Sequence, residues 1–245
     1  MDAVLLAGGE GLRLRPLTED TPKPLLPLGN SCALETALVC LRKGGATRVF
    51  VAAKYRSDMV KAFVGDGSRW GLDVRVMVED RPLGTAGPVA PLRPLLRSPF
   101  ILMNADVLTT LDFGRFYEEG CATRAALTAV TSTVSMSLPY GRITGTGNRI
   151  DAVEEKPELQ AEVLAGIYLL RDEALDSIPD HRYFGVDELI EKLLQQGSGV
   201  HRYAADAYWR DIGRPEDYEA AQREYAAFFN EDRDAQSGAA ASAAA

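Results

Sequence analysis

Hydrophobic positions along this chain switch between two periods, and the switch recurs from one end to the other. Ala3 to Ala7 is a short, wholly apolar run with the character of a buried parallel strand. Ala33 to Arg42 carries apolar residues at helical spacing until Gly44-Gly45 ends it. Thr47 to Ala53 reads as a second strand, Ser57 caps a short helix through Phe63, and Leu72 to Val78 alternates as a third strand that stops at Glu79. Phe100 to Met103 predicts a fourth buried strand, Asp112 to Gly120 a helix, and Ala125 to Thr133 a strand of small polar residues. Tyr140 to Ile143 and Arg149 to Val153, joined by the turn at 145–148, predict a β-hairpin, and Leu164 to Tyr168 a further strand. Phe184 to Gln196 is strongly amphipathic and is stopped by Gly197; Gly199 to Ala205 follows as a late strand, and Arg214 to Phe229 as a last helix. Strands that alternate with helices predict an α/β fold, a doubly wound, mostly parallel sheet with an inserted hairpin and its ligands at the carboxyl ends of the strands.

The first strand runs directly into Gly8, Gly9 and Gly11, whose bare backbone can approach a ligand and turn amides toward an anion. A glycine-rich turn after an edge strand is the plainer reading of that spacing. Arg13 and Lys23 add a forked and a movable cation to the same neighbourhood, and Pro16-Leu17-Thr18 and Pro22-Lys23-Pro24 accompany them in one run. A Walker loop is excluded because no Gly-Lys-Ser/Thr triplet follows, and a dinucleotide fingerprint because Leu14 stands where its third glycine belongs. The run therefore points to a polyphosphate site. Two carboxylates qualify as partners by position: Asp106 closes the fourth strand at its carboxyl end, and Asp211 lies in Trp209-Arg210-Asp211-Ile212-Gly213 after the late strand. Taken singly, each is as well explained as a loop or helix cap. Leu83-Gly84-Thr85, beyond the third strand, falls where a loop reaches over the cleft, with Thr85 placed to cap the helix that follows it.

Composition narrows the partners. With 245 residues and 46% hydrophobic content the chain can bury a substantial core, and residues 1–229 are expected to form one domain. The Ala/Ser/Gly-rich segment 230–245 is too poor in large apolar residues to pack and is expected to be disordered. A net charge of −8 argues against a nucleic-acid or anionic-membrane surface, so the cations act locally, in a cleft. No apolar run is long enough to span a membrane and no signal peptide is evident, which predicts a cytoplasmic protein. Cys32, Cys40 and Cys121 form no Cys-x-x-Cys pair, and with His181 and His201 they make no zinc site, so reduced thiols are expected.

The segment GGEGLRLRPLTEDTPKPLLPL resembles the signature G-x-G-x-R-x-x-P-L-T, then P-K-P, of the sugar-1-phosphate nucleotidylyltransferases, departing at Leu12, where the family usually carries a hydroxyl. The LGTAGP run at 83–88 is most similar to the guanylyl-transferring branch, and the resemblance extends over roughly residues 2 to 228. It implies a Rossmann-like nucleotide-diphospho-sugar transferase fold. It further implies Mg²⁺ on Asp106 and Asp211, Arg13 on the β/γ-phosphates and Lys23 at the reacting α-phosphate. Leu6, Ala7, Gly8, Gly9, Gly11, Leu83, Gly84 and Thr85 would complete the nucleotide side, with glycine at 84 letting the base come close. Glu79 is a candidate acceptor for guanine N1 and N2. Tyr140, Gly141, Glu155, Lys156 and Gly166 would hold the sugar phosphate. The implied substrates are an NTP, GTP by the branch resemblance, and a mannose- or heptose-like sugar 1-phosphate, yielding NDP-sugar and pyrophosphate; homo-oligomeric assembly is compatible with the family. The attacking phosphate is a dianion near neutral pH because its second pKa is about 6, so no catalytic base is required. A UTP- or dTTP-dependent glucose-1-phosphate enzyme, a non-catalytic sugar-nucleotide sensor and a glycosyltransferase remain as alternatives. Against the sensor, all the charged positions are present; against the glycosyltransferase, no Asp-x-Asp stands at a strand end.

Overall fold

The computed structural model describes residues 1–229; the segment 230–245 lies outside them. The chain begins with β1 (Asp2–Ala7), α1 (Ala33–Lys43), β2 (Arg48–Ala53), α2 (Ser57–Val64) and β3 (Asp73–Val78). It continues with β4 (Phe100–Asn104), β5 (Val107–Thr109), α3 (Phe113–Thr123) and β6 (Leu127–Ser137). Next come β7 (Arg142–Thr146), β8 (Arg149–Glu154), β9 (Glu158–Leu170) and α4 (Asp172–Ser177). The last elements are α5 (Val186–Gln195), β10 (Val200–Ala204), β11 (Trp209–Asp211) and α6 (Pro215–Phe229). Seven strands form the central sheet in the order β10-β6-β9-β4-β1-β2-β3. β1, inside the sheet, pairs in parallel with β2 and β4, so the glycine loop leaves the sheet between two neighbouring strand ends.

The sheet is mostly parallel, as the alternation predicts, but β9 runs antiparallel to both β4 and β6. The reason is connectivity. No helix separates β6 from β9; the chain returns through the β7/β8 hairpin, and a direct return can only pair antiparallel. β6 and β9 also outrun their predicted lengths, because beyond Thr131 and Leu164 they leave the core as a two-stranded arm. The arm alternates polar and apolar residues, as in Glu158 to Val163, but its apolar side chains are only half-buried or exposed, so it lies outside the packed core. Backbone pairing and cross-strand bonds from Thr131 to Glu162 at 2.7 Å and Ser135 to Glu158 at 2.5 Å hold it instead. Gly166, at φ +72, sits where the β6/β9 register slips.

Alternate residues of each strand feed opposite layers. Leu5, Val49, Val51, Ile101 and Met103 meet Leu34, Leu38 and Leu41 of α1 and Phe113 and Phe116 of α3 on one face. Val4, Phe50, Leu102 and Tyr168 meet Leu175, Leu189 and Leu193 of α4 and α5 on the other. A third cluster joins Tyr218, Ala221, Tyr225 and Phe229 of α6 to Leu14, Leu26, Leu28 and Ile212, which clamps the phosphate-loop region against the last helix. Two capping expectations are corrected. Arg56 in the left-handed region, not Ser57, precedes α2, with its carbonyl accepting from Met59 and Val60. Thr85 leaves the turn after it uncapped, and its Oγ1 accepts from Val186 N–H of α5 at 2.8 Å. No helix among the described residues is long and apolar enough to cross a membrane.

At the opposite end of the sheet from the glycine loop, the buried carboxylate of Asp2 accepts from both forks of Arg48 and from the Arg97 amide at 2.9 Å. This fastens β1 to β2 and to the segment before β4. Asp2→Ala leaves Arg48 with only the Leu95 carbonyl in a half-buried site, and is expected to cost roughly 3 kcal/mol of unfolding free energy. Urea denaturation should show a lower midpoint at unchanged slope, and an unmoved midpoint would deny the contact a structural role.

Candidate functional site

The site is built at the carboxyl ends of β1, β2, β3 and β4, where the core layers stop and loops take over. The glycine loop is fixed from within by Thr18, fully buried, whose Oγ1 donates to the Gly11 carbonyl at 2.8 Å. Gly11 is left-handed at φ +63, and a Cβ there would fall 2.9 Å from Thr18 Cγ2. Gly8 is required for a different reason, because its Cβ would lie 2.7 Å from Glu79 Oε1. Gly9 is open on all sides, and Leu12, which replaces the expected hydroxyl, is exposed. Gly84 also has an internal cause. At φ +84 its Cβ would stand 2.6 Å from the Phe184 carbonyl, so protein packing accounts for this glycine before any base does.

Lys23 follows Pro22 in a short turn, half-buried, and its ammonium bonds Asp106 Oδ2 and reaches Asp211 Oδ1 at 3.5 Å. The two carboxylates come from positions far apart in sequence. They meet because β5 pairs antiparallel with β11, setting Asp211 opposite Val107, with Ile212 N–H donating to the Asp106 carbonyl at 3.2 Å. Trp209 Nε1 donates to the Ala165 carbonyl at 2.8 Å and Arg210 holds Glu224 of α6 with two bonds of 2.9 Å, so β11 is anchored on both sides. Burial, and then Asp106, push the Asp211 carboxyl above its ordinary range, while Lys23 and Arg13 pull it back. Among the described residues no larger group of His, Cys, Asp or Glu gathers as a metal cage. Two hard oxygen donors facing one cation are nevertheless what Mg²⁺ takes from protein when substrate phosphates and water complete its shell.

Two cavities flank this cluster. The first, of about 350 Å³, is lined by Leu6, Gly8, Gly9, Glu79, Leu83, Gly84, Thr85 and Asp106, all expected on the nucleotide side. Lys54, Pro82, Asn104 and Tyr183 also line it and were not foreseen. Lys54 and Asn104 lie at strand ends, where the carboxyl-end rule could have found them; Tyr183 arrives by a distant loop that no local pattern links to the site. Glu79 is nearly buried, its Oε2 accepting from Leu83 N–H at 3.2 Å. Burial raises its pKa, against the opposing pull of Leu83 and Lys54. Ala7, by contrast, is buried in β1 behind the loop.

The second cavity, of about 570 Å³, is lined by Arg13, Asp211, Gly213 and Arg214 and by Ser132 to Met136 of the β6 arm. The arm leads to the hairpin, where Tyr140, Gly141, Glu155 and Lys156 are all exposed. Glu155 Oε2 is 3.2 Å from where a Gly141 Cβ would be, so these residues face one another. Lys156 is held left-handed at φ +47 just beyond β8. Gly166 is on the first cavity's side, where a Cβ would fall 2.7 Å from Asn104 Nδ2.

The arrangement combines a glycine loop, an ammonium held by two carboxylates, and cavities to either side that could take the two ends of a bisubstrate. A family model described as nucleotidyl transferase matches residues 2–227. The mannose-1-phosphate guanylyltransferase of Mycobacterium tuberculosis is 34% identical over 224 residues, which are 89% of this chain and 62% of that protein. The mannose-1-phosphate guanyltransferase of Schizosaccharomyces pombe is 32% identical over 227 residues, again 89% and 62%. This chain thus spans about three-fifths of the length of these relatives. Among solved structures, HddC from Yersinia pseudotuberculosis complexed with GMP-PN superposes with a TM-score of 0.72 at 26% identity, covering 91% of this chain and 99% of that one. The chain belongs to the nucleotidyl transferase family.

Proposed function

We propose that this protein transfers a nucleotidyl group, guanylyl by preference, from a nucleoside triphosphate to a mannose- or heptose-like sugar 1-phosphate. The observation that carries the reading is the Lys23 ammonium bonded to Asp106 and reaching Asp211 between the two cavities. The sugar-phosphate oxygen bonds to the α-phosphorus, the bond from that phosphorus to the bridging oxygen breaks, and pyrophosphate leaves. Because the nucleophile is already anionic, the difficulty is to bring two anions in line while charge grows on the leaving group. Asp106 and Asp211 would hold Mg²⁺, which supplies Lewis-acid charge at the phosphates. Lys23, released from the carboxylates, follows the α-phosphate; Arg13, on the wall of the second cavity, meets the departing phosphates. Lys156 and Glu155 on the hairpin orient the sugar phosphate. The guanine preference draws on Glu79 at the wall of the first cavity, on the names of the relatives and on the GMP-PN complex of HddC. The cytoplasm is the fitting compartment for a reaction that consumes nucleoside triphosphate.

Activity is expected to require Mg²⁺, and Asp106→Asn and Asp211→Asn should each lower pyrophosphate release by roughly a hundredfold or more without changing the melting temperature appreciably. Near wild-type turnover of either variant at saturating Mg²⁺ would remove that residue from the metal site. Arg13→Ala should raise the KM for the triphosphate, and Lys156→Ala that for the sugar phosphate, each by roughly one to two decades for a lost charge-assisted contact. If Lys156→Ala moved only the triphosphate KM, the hairpin would have the wrong role. In competition among equimolar GTP, ATP, UTP, CTP and dTTP, the GDP-sugar should dominate; a UDP- or dTDP-sugar as main product rejects guanine and leaves the reaction class intact.

A further inference from the structure

We propose that Lys54 is a base-reading residue, donating from its ammonium to guanine O6 while Glu79 accepts from the N1 and N2 donors beside it. The inference rests on the guanine reading above and adds to it a second, oppositely charged contact. Glu79 alone cannot define guanine, since a carboxylate also accepts from the 6-amino group of adenine. A complementary donor is needed to separate the two purines, because guanine presents an acceptor at position 6 and adenine a donor.

Lys54 has the position and the freedom for that task. It is the first residue after β2, which lies between β1 and β3 in the sheet, so Lys54 emerges between the glycine loop and Glu79. Its side chain lines the same cavity as Glu79. Both side chains converge on Gly8, with Glu79 Oε1 at 2.7 Å and Lys54 Cβ at 3.7 Å from the point where a Cβ on that glycine would lie. Lys54 acts electrostatically on Glu79, yet among the described residues it forms no ion pair. The two side chains thus line one cavity without forming an ion pair with each other. Glu79 Oε2 is already engaged by Leu83 N–H, and Oε1 is the oxygen turned toward Gly8. Thr85 also lines the cavity, where its Oγ1 accepts from Val186 N–H, but it is neutral, and Lys54 is the cation among the described lining residues. A base edge that runs acceptor, donor, donor satisfies ammonium and carboxylate together; adenine sets a donor against the ammonium and an acceptor against the carboxylate.

Calorimetric binding of GTP, ITP, ATP and 2-aminopurine riboside triphosphate, without sugar phosphate, tests the assignment in wild type, Lys54→Met and Lys54→Arg. ITP keeps O6 and loses the 2-amino group; 2-aminopurine loses O6 and keeps the amino group. Lys54→Met should weaken GTP and ITP by roughly tenfold to a hundredfold, and change ATP and the 2-aminopurine nucleotide by less than about twofold. Lys54→Arg, which retains a donor, should keep most of the GTP preference. An equal loss on all four nucleotides would assign Lys54 to the phosphates or the fold, and an undiminished GTP affinity would deny it any contact; either overturns the proposal. Pyrophosphate release by wild type from GTP and mannose 1-phosphate is followed in parallel. O6-dependent binding without release retires the transfer reaction and retains Lys54, whereas release with O6-independent binding does the reverse.

Discussion

The site depends on one electrostatic arrangement, an ammonium held by two carboxylates that would repel each other in its absence. Lys23 makes the approach of Asp106 and Asp211 tolerable, and the burial of Asp211 makes it necessary. Arg13, whose Nη2 comes with Asp211 Oδ2 to Gly213, offsets the charge that the two carboxylates hold in excess of Lys23. Under the proposed reaction a divalent cation would take the carboxylates and the lysine would move to the phosphate, so neither charge would be stranded in a half-buried pocket. Much of the surrounding structure serves this geometry. The β5/β11 pair sets the register of the aspartates, Trp209 and Arg210 pin that pair to β9 and α6, and the third apolar cluster presses the Lys23 turn against the same helix.

The loops around the first cavity are shaped by packing before they are shaped by ligand. Phe184 accepts from Ala86 and Gly87 through its carbonyl and donates to the Leu83 carbonyl at 2.9 Å, so the segment before α5 templates the LGTAGP loop. Gly84 is the residue that lets the two backbones meet, and Thr85 returns the tie by bonding the first turn of α5. The wall of the cavity is therefore part of a rigid interface between two segments about a hundred residues apart. A pre-formed wall lowers the ordering cost of binding, which would favour the polar selectivity proposed for Glu79 and Lys54.

The cations of this acidic chain divide by task. Arg48, Arg93 and Arg210 are committed to structural partners. Lys23, Arg13, Lys54 and Lys156 lie at or beside the cavities and the hairpin.

What the sequence determined by itself was the set of local elements and the chemistry of the phosphate loop. Buried strands such as β1 and β4 and amphipathic helices such as α1 and α5 announce themselves because burial fixes their periodicity, and Gly8 to Lys23 form one contiguous run whose residue types have few other uses. The two-stranded arm, whose polar-apolar alternation leaves its apolar side chains only half-buried, and the reversed direction of β9, which follows from how the chain returns through the hairpin, came only with the fold. Local pattern named Asp106 and Asp211 singly, and only the family resemblance joined them. Their union is a matter of register between two three-residue strands too short to leave a pattern, and of a lysine that reaches both only after the fold has closed. Thr85 and Gly84 had plausible local roles in sequence and received distant ones in the structure, because a cap or a positive φ can be satisfied by any neighbour that tertiary packing supplies. Lys54 stands at a strand end, where the carboxyl-end rule points, but Tyr183 became legible only in three dimensions, since a single aromatic on a distant loop carries no signal until the cavity it faces exists.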